Sequence, residues 1–162
     1  MLNIVLVIIV VIILFLVVSY NNMVKLSNKV EEGYSSIDVA LMKRYDLITN
    51  LTEVVKGYTK YETEILEKIV RERNMSNKDQ MMDEVQSNIL ALAEAYPTLK
   101  ADVQYRTLME AMSECEEHLQ AARRFYNSNV SAYNTCIQQL PCSLFANSFG
   151  FTNKEFYRYE GE

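Results

Sequence analysis

A chain of 162 residues with 49% hydrophobic residues has the length and apolar content for one packed domain, and its 4 Gly and 2 Pro leave few breaks in long helices. The formal net charge of -5 supplies no surplus of Lys and Arg to displace counterions, so no nucleic acid is expected as a partner. The 3 Cys include no C-x-x-C pair, which argues against a disulfide framework or a zinc cage and fits a reducing compartment.

The opening "MLNIVLVIIVVIILFLVVSY" is apolar on every side. With Met1 and Leu2, the run Ile4, Val5, Leu6, Val7, Ile8, Ile9, Val10, Val11, Ile12, Ile13, Leu14, Phe15, Leu16, Val17 and Val18 would cover about 27 Å as a helix, just enough for a hydrocarbon core of roughly 30 Å. A core helix of so small a domain would carry a polar stripe, and this run has none. No Lys or Arg precedes it, and "FLVVSYNN" lacks a small-x-small exit, so residues 1–20 are expected to be an uncleaved transmembrane anchor rather than a signal peptide. Tyr20 stands where an interfacial aromatic would fix the helix end. Lys25 and Lys29 follow, so the positive-inside rule places the N-terminus outside and the body in the cytoplasm. The lipid bilayer is the first expected partner.

From Val30 the apolar residues recur in steps of four and three: Val30, Tyr34, Ile37, Leu41, Ile48, Leu51, Val55, Tyr58, Ile65 and Ile69. That is the seam of a helix packed as in a coiled coil. The rhythm also points Arg44 and Glu62 inward. "RNMSNKDQ" supplies a break, with Asn77 and Gln80 spaced as a capping box. A second helix carries Met82, Val85, Ile89, Leu92 and Tyr96 on one face and ends at Pro97. A third runs from about Leu99 through Tyr105, Leu108, Met112, Cys115, Leu119, Ala122, Tyr126, Tyr133, Cys136 and Leu140 to Pro141, with Asn129 as its polar seam position. No strand pattern competes.

The expected fold is therefore all-α: a transmembrane helix followed by an elongated antiparallel bundle of three to four helices over residues 21–140. Simple up-down-up folding leaves much of the long helices' apolar stripe uncovered. Either the first helix breaks, or neighbouring subunits cover the remainder. A break in "DLITN" is favoured, because Asp46, Thr49 and Asn50 can each leave a helix and cap the next. The tail, residues 141–162, holds Phe145, Phe149, Phe151 and Phe156, too many aromatics for a free end, and is expected to dock on the bundle or on a partner.

Chemistry has few candidates. His118 is the one histidine, and Glu114, Cys115 and His118 lie a helical turn apart, but a di-iron bundle needs two Glu-x-x-His motifs. No phosphate loop or nucleophile elbow is present. No cofactor, metal or small-molecule substrate is expected. Arg44, Glu62 and Asn129 are candidate register devices, as single polar seam residues are in coiled coils, unless the repeat drifts and leaves them at its edge. Tyr126-Asn127 and Tyr133-Asn134 recur at seven residues above Arg123 and Arg124; such a stripe resembles a binding face but is read as core.

"YNNMVKLSNKVEEGYSSIDVALMKRYDLITNLTEVVKGYTKYE", "YPTLKAD" and "ARRFYNSNVSAYNTCIQQLPCSLFANSFGF" resemble, in order and spacing, the signature blocks of the LemA family. These are bacterial proteins with one N-terminal transmembrane helix and an antiparallel helical bundle. Two positions depart from the pattern: Gly33-Tyr34, where the family usually has Trp after a small residue, and Thr49, where it usually has Pro, which makes a straighter first helix possible. The resemblance implies no catalytic residue. It implies a non-enzymatic, envelope-associated scaffold or interaction protein, expected to form homo-oligomers and to hold envelope protein partners. The alternative is a metal- or thiol-dependent enzyme or regulator using Cys115 and His118.

Overall fold

A computed structural model describes residues 2–58 and 78–158. Every regular element among them is helical: α1 (Leu2–Lys56), α2 (Lys78–Ala95), α3 (Pro97–Ala101) and α4 (Val103–Gln138), followed by two 3-10 turns, Cys142–Leu144 and Asn147–Phe149. This is the expected all-α helical bundle. Glu62, Ile65, Ile69 and the Asn77 cap lie outside the described residues.

The helix break favoured at "DLITN" is not there. α1 passes through Asp46, Thr49 and Asn50 and ends at Lys56, before a turn at Gly57 and Tyr58. Thr49 can stay helical because its Oγ1 donates 2.9 Å back to the Tyr45 carbonyl one turn earlier, which occupies the hydroxyl that would otherwise cap a new helix. α4 also starts later than its apolar pattern. Pro97 opens the short α3, where a missing N–H costs nothing. Asp102 then caps α4, its Oδ1 accepting from the Gln104 and Tyr105 amides at 2.7 and 3.1 Å.

The chain divides into two compact units. In residues 37–121 the core is Ile48, Leu51 and Val55 of α1, Met82, Val85, Ile89 and Ala93 of α2, Leu99 of α3, and Tyr105 and Met112 of α4. These positions follow the three-and-four alternation, as helices packed side by side require. In the other unit, residues 1–36 with 122–157, the core is Met23 and Val30 of α1, Val130, Tyr133 and Ile137 of α4, and Cys142 and Ala146 beyond it. Here the seam departs from simple apolar counting. Tyr34 is 60% exposed, and Gly33 beside it is buried. A Cβ on Gly33 would lie 3.0 Å from the Tyr126 Cα, so the missing side chain is what lets the two helix backbones approach. On α4 the buried position is Val130 rather than Asn129, a one-residue drift that follows from 3.6 residues per turn set against a 3.5 repeat.

Candidate functional site

Ile4 to Val18 are all exposed, from 37% at Leu16 to 66% at Val18, so among the described residues nothing covers this stretch of helix. Fifteen apolar side chains unburied together would cost far too much in water to persist there. Among the described residues, α1 is the helix long and apolar enough to cross a membrane. Leu2 opens it, and Tyr20 follows its apolar run with its ring edge-on to Phe149 and Phe151, centroids 5.2 and 5.8 Å away. Phe149 meets Phe145 in turn at 6.0 Å. Offset and edge-on rings hold such clusters together, and aromatics of this kind favour the membrane–water boundary.

Arg44 is a charged residue buried within residues 37–121, at 4% exposure. Its Nη2 bonds Asp83 and donates to Gln86 Oε1 at 3.0 Å, both on α2, and to Glu116 Oε1 on α4 at 3.1 Å. A guanidinium buried without anions would lose its hydration uncompensated; two carboxylates and an amide from two neighbouring helices replace that water. Asp83 and Glu116 keep side-chain exposures of 41% and 36%, so the hub opens to solvent on its carboxylate side. Glu62 lies outside the described residues. Asn129 is half-buried, and its Nδ2 donates to the Lys29 carbonyl at 3.2 Å.

The structure does not assemble a reactive centre from Glu114, Cys115 and His118. Cys115 is fully buried, its thiol 3.4 Å from the Ala40 carbonyl, and burial pushes its pKa up, away from the nucleophilic thiolate; Glu114 and His118 are exposed. Cys136 and Cys142 bring their sulfurs to 3.7 Å, with the Asn22 amide 3.5 Å from Cys136. Burial again raises the Cys136 thiol pKa, reinforced by the contact with Cys142. Among the described residues, no group of three or more His, Cys, Asp or Glu side chains is placed to hold a metal. An open depression of about 550 Å³ is lined by Asn50, Glu53 and Val54 of α1 and Val103, Gln104, Thr107 and Leu108 of α4; Glu53 is the one titratable group among its described lining residues, too little for acid–base chemistry. Asp102 is occupied as a cap, and Tyr58 donates to its Oδ2 at 2.5 Å. That hydroxyl first, then the Tyr105 amide, holds the carboxyl below its usual range, which suits an acceptor rather than an acid.

The Tyr-Asn repeat of α4, which resembles a binding face, reads from the sequence as core. Tyr133 is buried, but Asn127 and Asn134 hold main-chain groups of the tail through both ends of their amides. Recurrence of an amide, not only of an aromatic, at seven residues was the available signal.

The family model described as "LemA family" matches residues 33–162. The chain is 21% identical over 179 positions to magnetosome protein MamQ 2 of Paramagnetospirillum magneticum, covering 88% of this chain and 66% of that one. It is 26% identical over 128 positions to protein LemA of Metamycoplasma hominis, covering 72% and 58%. It is 26% identical over 69 positions to magnetosome protein MamQ of Magnetospirillum gryphiswaldense, covering 43% and 25%. The chain spans less than two thirds of the length of these curated relatives.

Proposed function

The chain belongs to the LemA family, and on that premise we propose that it is a single-pass, membrane-anchored scaffold that holds copies of itself and other envelope proteins beside the bilayer, without catalysis. The observation that carries this reading is the double character of α1. Its side chains from Ile4 to Val18 are exposed all round, and the same unbroken helix supplies Met23 and Val30 to a packed core. A helix that is greasy where nothing covers it and amphipathic immediately afterwards is built to leave a membrane and enter a protein body. The Tyr20, Phe149 and Phe151 cluster suits the membrane–water boundary, and Lys25 and Lys29 just beyond the apolar run favour a cytoplasmic body by the positive-inside rule. Residues 1–20 thus act as the anchor, 21–140 as the helical body and 141–162 as its tail.

Among its described residues the body presents apolar contact surface. Val39, Met42 and Val103 are exposed by 60% or more, and self-association would cover such side chains. Arg44 sets the register of α1 against α2 and α4, because a one-residue slip would strand its buried charge away from Asp83 and Glu116. Membrane fractionation with two differently tagged copies tests the reading. The protein should stay with membranes through an alkaline wash, and each tag should recover the other after mild detergent extraction. Release by alkali, or recovery of one tag alone, would overturn the anchor or the self-association respectively.

A further inference from the structure

The tail from Phe151 to Arg158 has no regular secondary structure, yet its main chain is held at two points by paired hydrogen bonds. Asn134 donates from Nδ2 to the Lys154 carbonyl at 2.8 Å and accepts the Lys154 amide on Oδ1 at 2.9 Å. Asn127 does the same for Tyr157, at 3.1 and 2.8 Å. A primary amide carries the same donor and acceptor as a peptide unit, so each asparagine pairs with the backbone much as a neighbouring strand would. The spacing fits. Seven residues of α4 advance about 10.5 Å, and three residues of a drawn-out chain advance about 9–10 Å. The tail runs antiparallel to the helix, with one peptide step of three for each helical step of seven.

Flanking contacts define what sits there. The Lys154 ammonium lies 5.3 Å from the centre of the Tyr133 ring and 3.4 Å from Glu31 Oε1. The Arg123 guanidinium lies 5.3 Å from the centre of the Tyr157 ring. Between them, the Tyr126 hydroxyl donates to the Glu155 carbonyl at 3.0 Å, while Phe156 stays 49% exposed. Gln138 Nε2 also donates to the Asn153 side-chain oxygen at 3.0 Å. From Lys154 on, the face therefore favours a cation and, three residues later, an aromatic, and holds the main chain at Lys154, Glu155 and Tyr157.

We propose that the Tyr-Asn repeat of α4 is a receptor for an extended peptide of the form cation-x-x-aromatic, filled in cis by Lys154–Tyr157, and that the same segment of a second copy takes its place in trans. This rests on the self-association read above and gives it a mechanism. An exchanged tail would make the same bonds on a neighbouring α4, so the swap forfeits no contact. The joint is in place: Gly150, at φ 80°, adopts a conformation that L side chains rarely take, and a Cβ there would meet nothing within 4 Å.

The test uses two full-length chains co-expressed with different tags. One carries Asn127→Ala and Asn134→Ala with a photocrosslinker in place of Phe156, so its own receptor is disabled. The other keeps its receptor but carries Lys154→Glu and Tyr157→Ala in its tail. Irradiation of membranes should give a product bearing both tags, joined between the first chain's tail and the second chain's α4. Excess synthetic peptide of residues 151–158 should lower that product about tenfold. Circular dichroism of each variant confirms that the helices have formed, and photocrosslinking at Phe156 in an otherwise unaltered pair provides a second reading if the alanine variant does not fold. Co-recovery of the tags without a product between chains would overturn tail exchange and leave self-association standing. Loss of co-recovery in unaltered copies as well would overturn both. A product indifferent to the peptide would overturn the receptor.

Discussion

The two helical units satisfy their inward-facing polar groups by different means. In residues 37–121 the group is a charge, Arg44, answered by side chains of α2 and α4. In residues 1–36 with 122–157 the groups are amides, Asn127 and Asn134, answered by the main chain of the tail. A charge-and-carboxylate hub demands particular side chains at particular places and so specifies how three helices meet. An amide-to-backbone contact demands mainly a chain of the right extension, and so suits a segment that can come and go.

The sharpest way to break this contrast is to remove the charge. Arg44→Ala should lower unfolding stability by about 3 kcal/mol: it empties a buried site and leaves Asp83 and Glu116 facing each other, while the partial exposure of both carboxylates keeps the cost at the low end for a broken buried pair. Chemical denaturation of the full chain in detergent measures it. A loss within experimental error would show that the hub is incidental. Gly33→Val should cost about 2 kcal/mol in the other unit, because its Cβ would press on the Tyr126 backbone, which cannot rotate away as a side chain can. Hydrogen exchange should place the loss in residues 122–137 before it reaches residues 37–121. Asn127→Ala with Asn134→Ala should cost roughly 1 kcal/mol, since the freed backbone groups of a surface tail recover water; faster proteolysis after Gly150 with unchanged helicity is the expected result.

The smallest effect is pH-dependent. Asp102 has its pKa lowered in the folded chain, so the stability it lends is present above the ordinary carboxylate value and is lost as pH falls through the lowered one. Acid should therefore loosen the first turn of α4, whereas the paired bonds of Asn127 and Asn134 to the tail's main chain involve no group that titrates. Asp102→Asn, which keeps an acceptor for the cap, should flatten that acid dependence in hydrogen exchange of Gln104 and Tyr105. Tyr126 and Tyr133 shift the other way. Burial raises both hydroxyl pKa values, so their contribution is complete below the ordinary tyrosine value and disappears as pH rises through the raised ones.

Legibility in the sequence also differed between the units. Ile48, Leu51, Val55, Val85 and Ile89 announced themselves by spacing, because a helix packed along its length has no other way to bury them. Gly33 did not: its role is the absence of a side chain opposite Tyr126, and counting apolar residues pointed instead to Tyr34, which is exposed. The helix break at Thr49 was a fair expectation from cap chemistry, defeated by a hydroxyl that turned back to Tyr45. The tail's phenylalanines raised the expectation of docking, but the points at which its main chain is held were opaque for a simpler reason. Residues bonded through their main chain leave no pattern in their side chains, so the signal lay only in the receptor, as two asparagines seven residues apart.

The most direct measurement is the mass of the full-length protein released from its own membrane in native lipid particles and weighed intact. A scaffold predicts particles holding two or more copies of the chain, persisting on dilution. Particles that each hold a single copy, at every concentration tried, would contradict it.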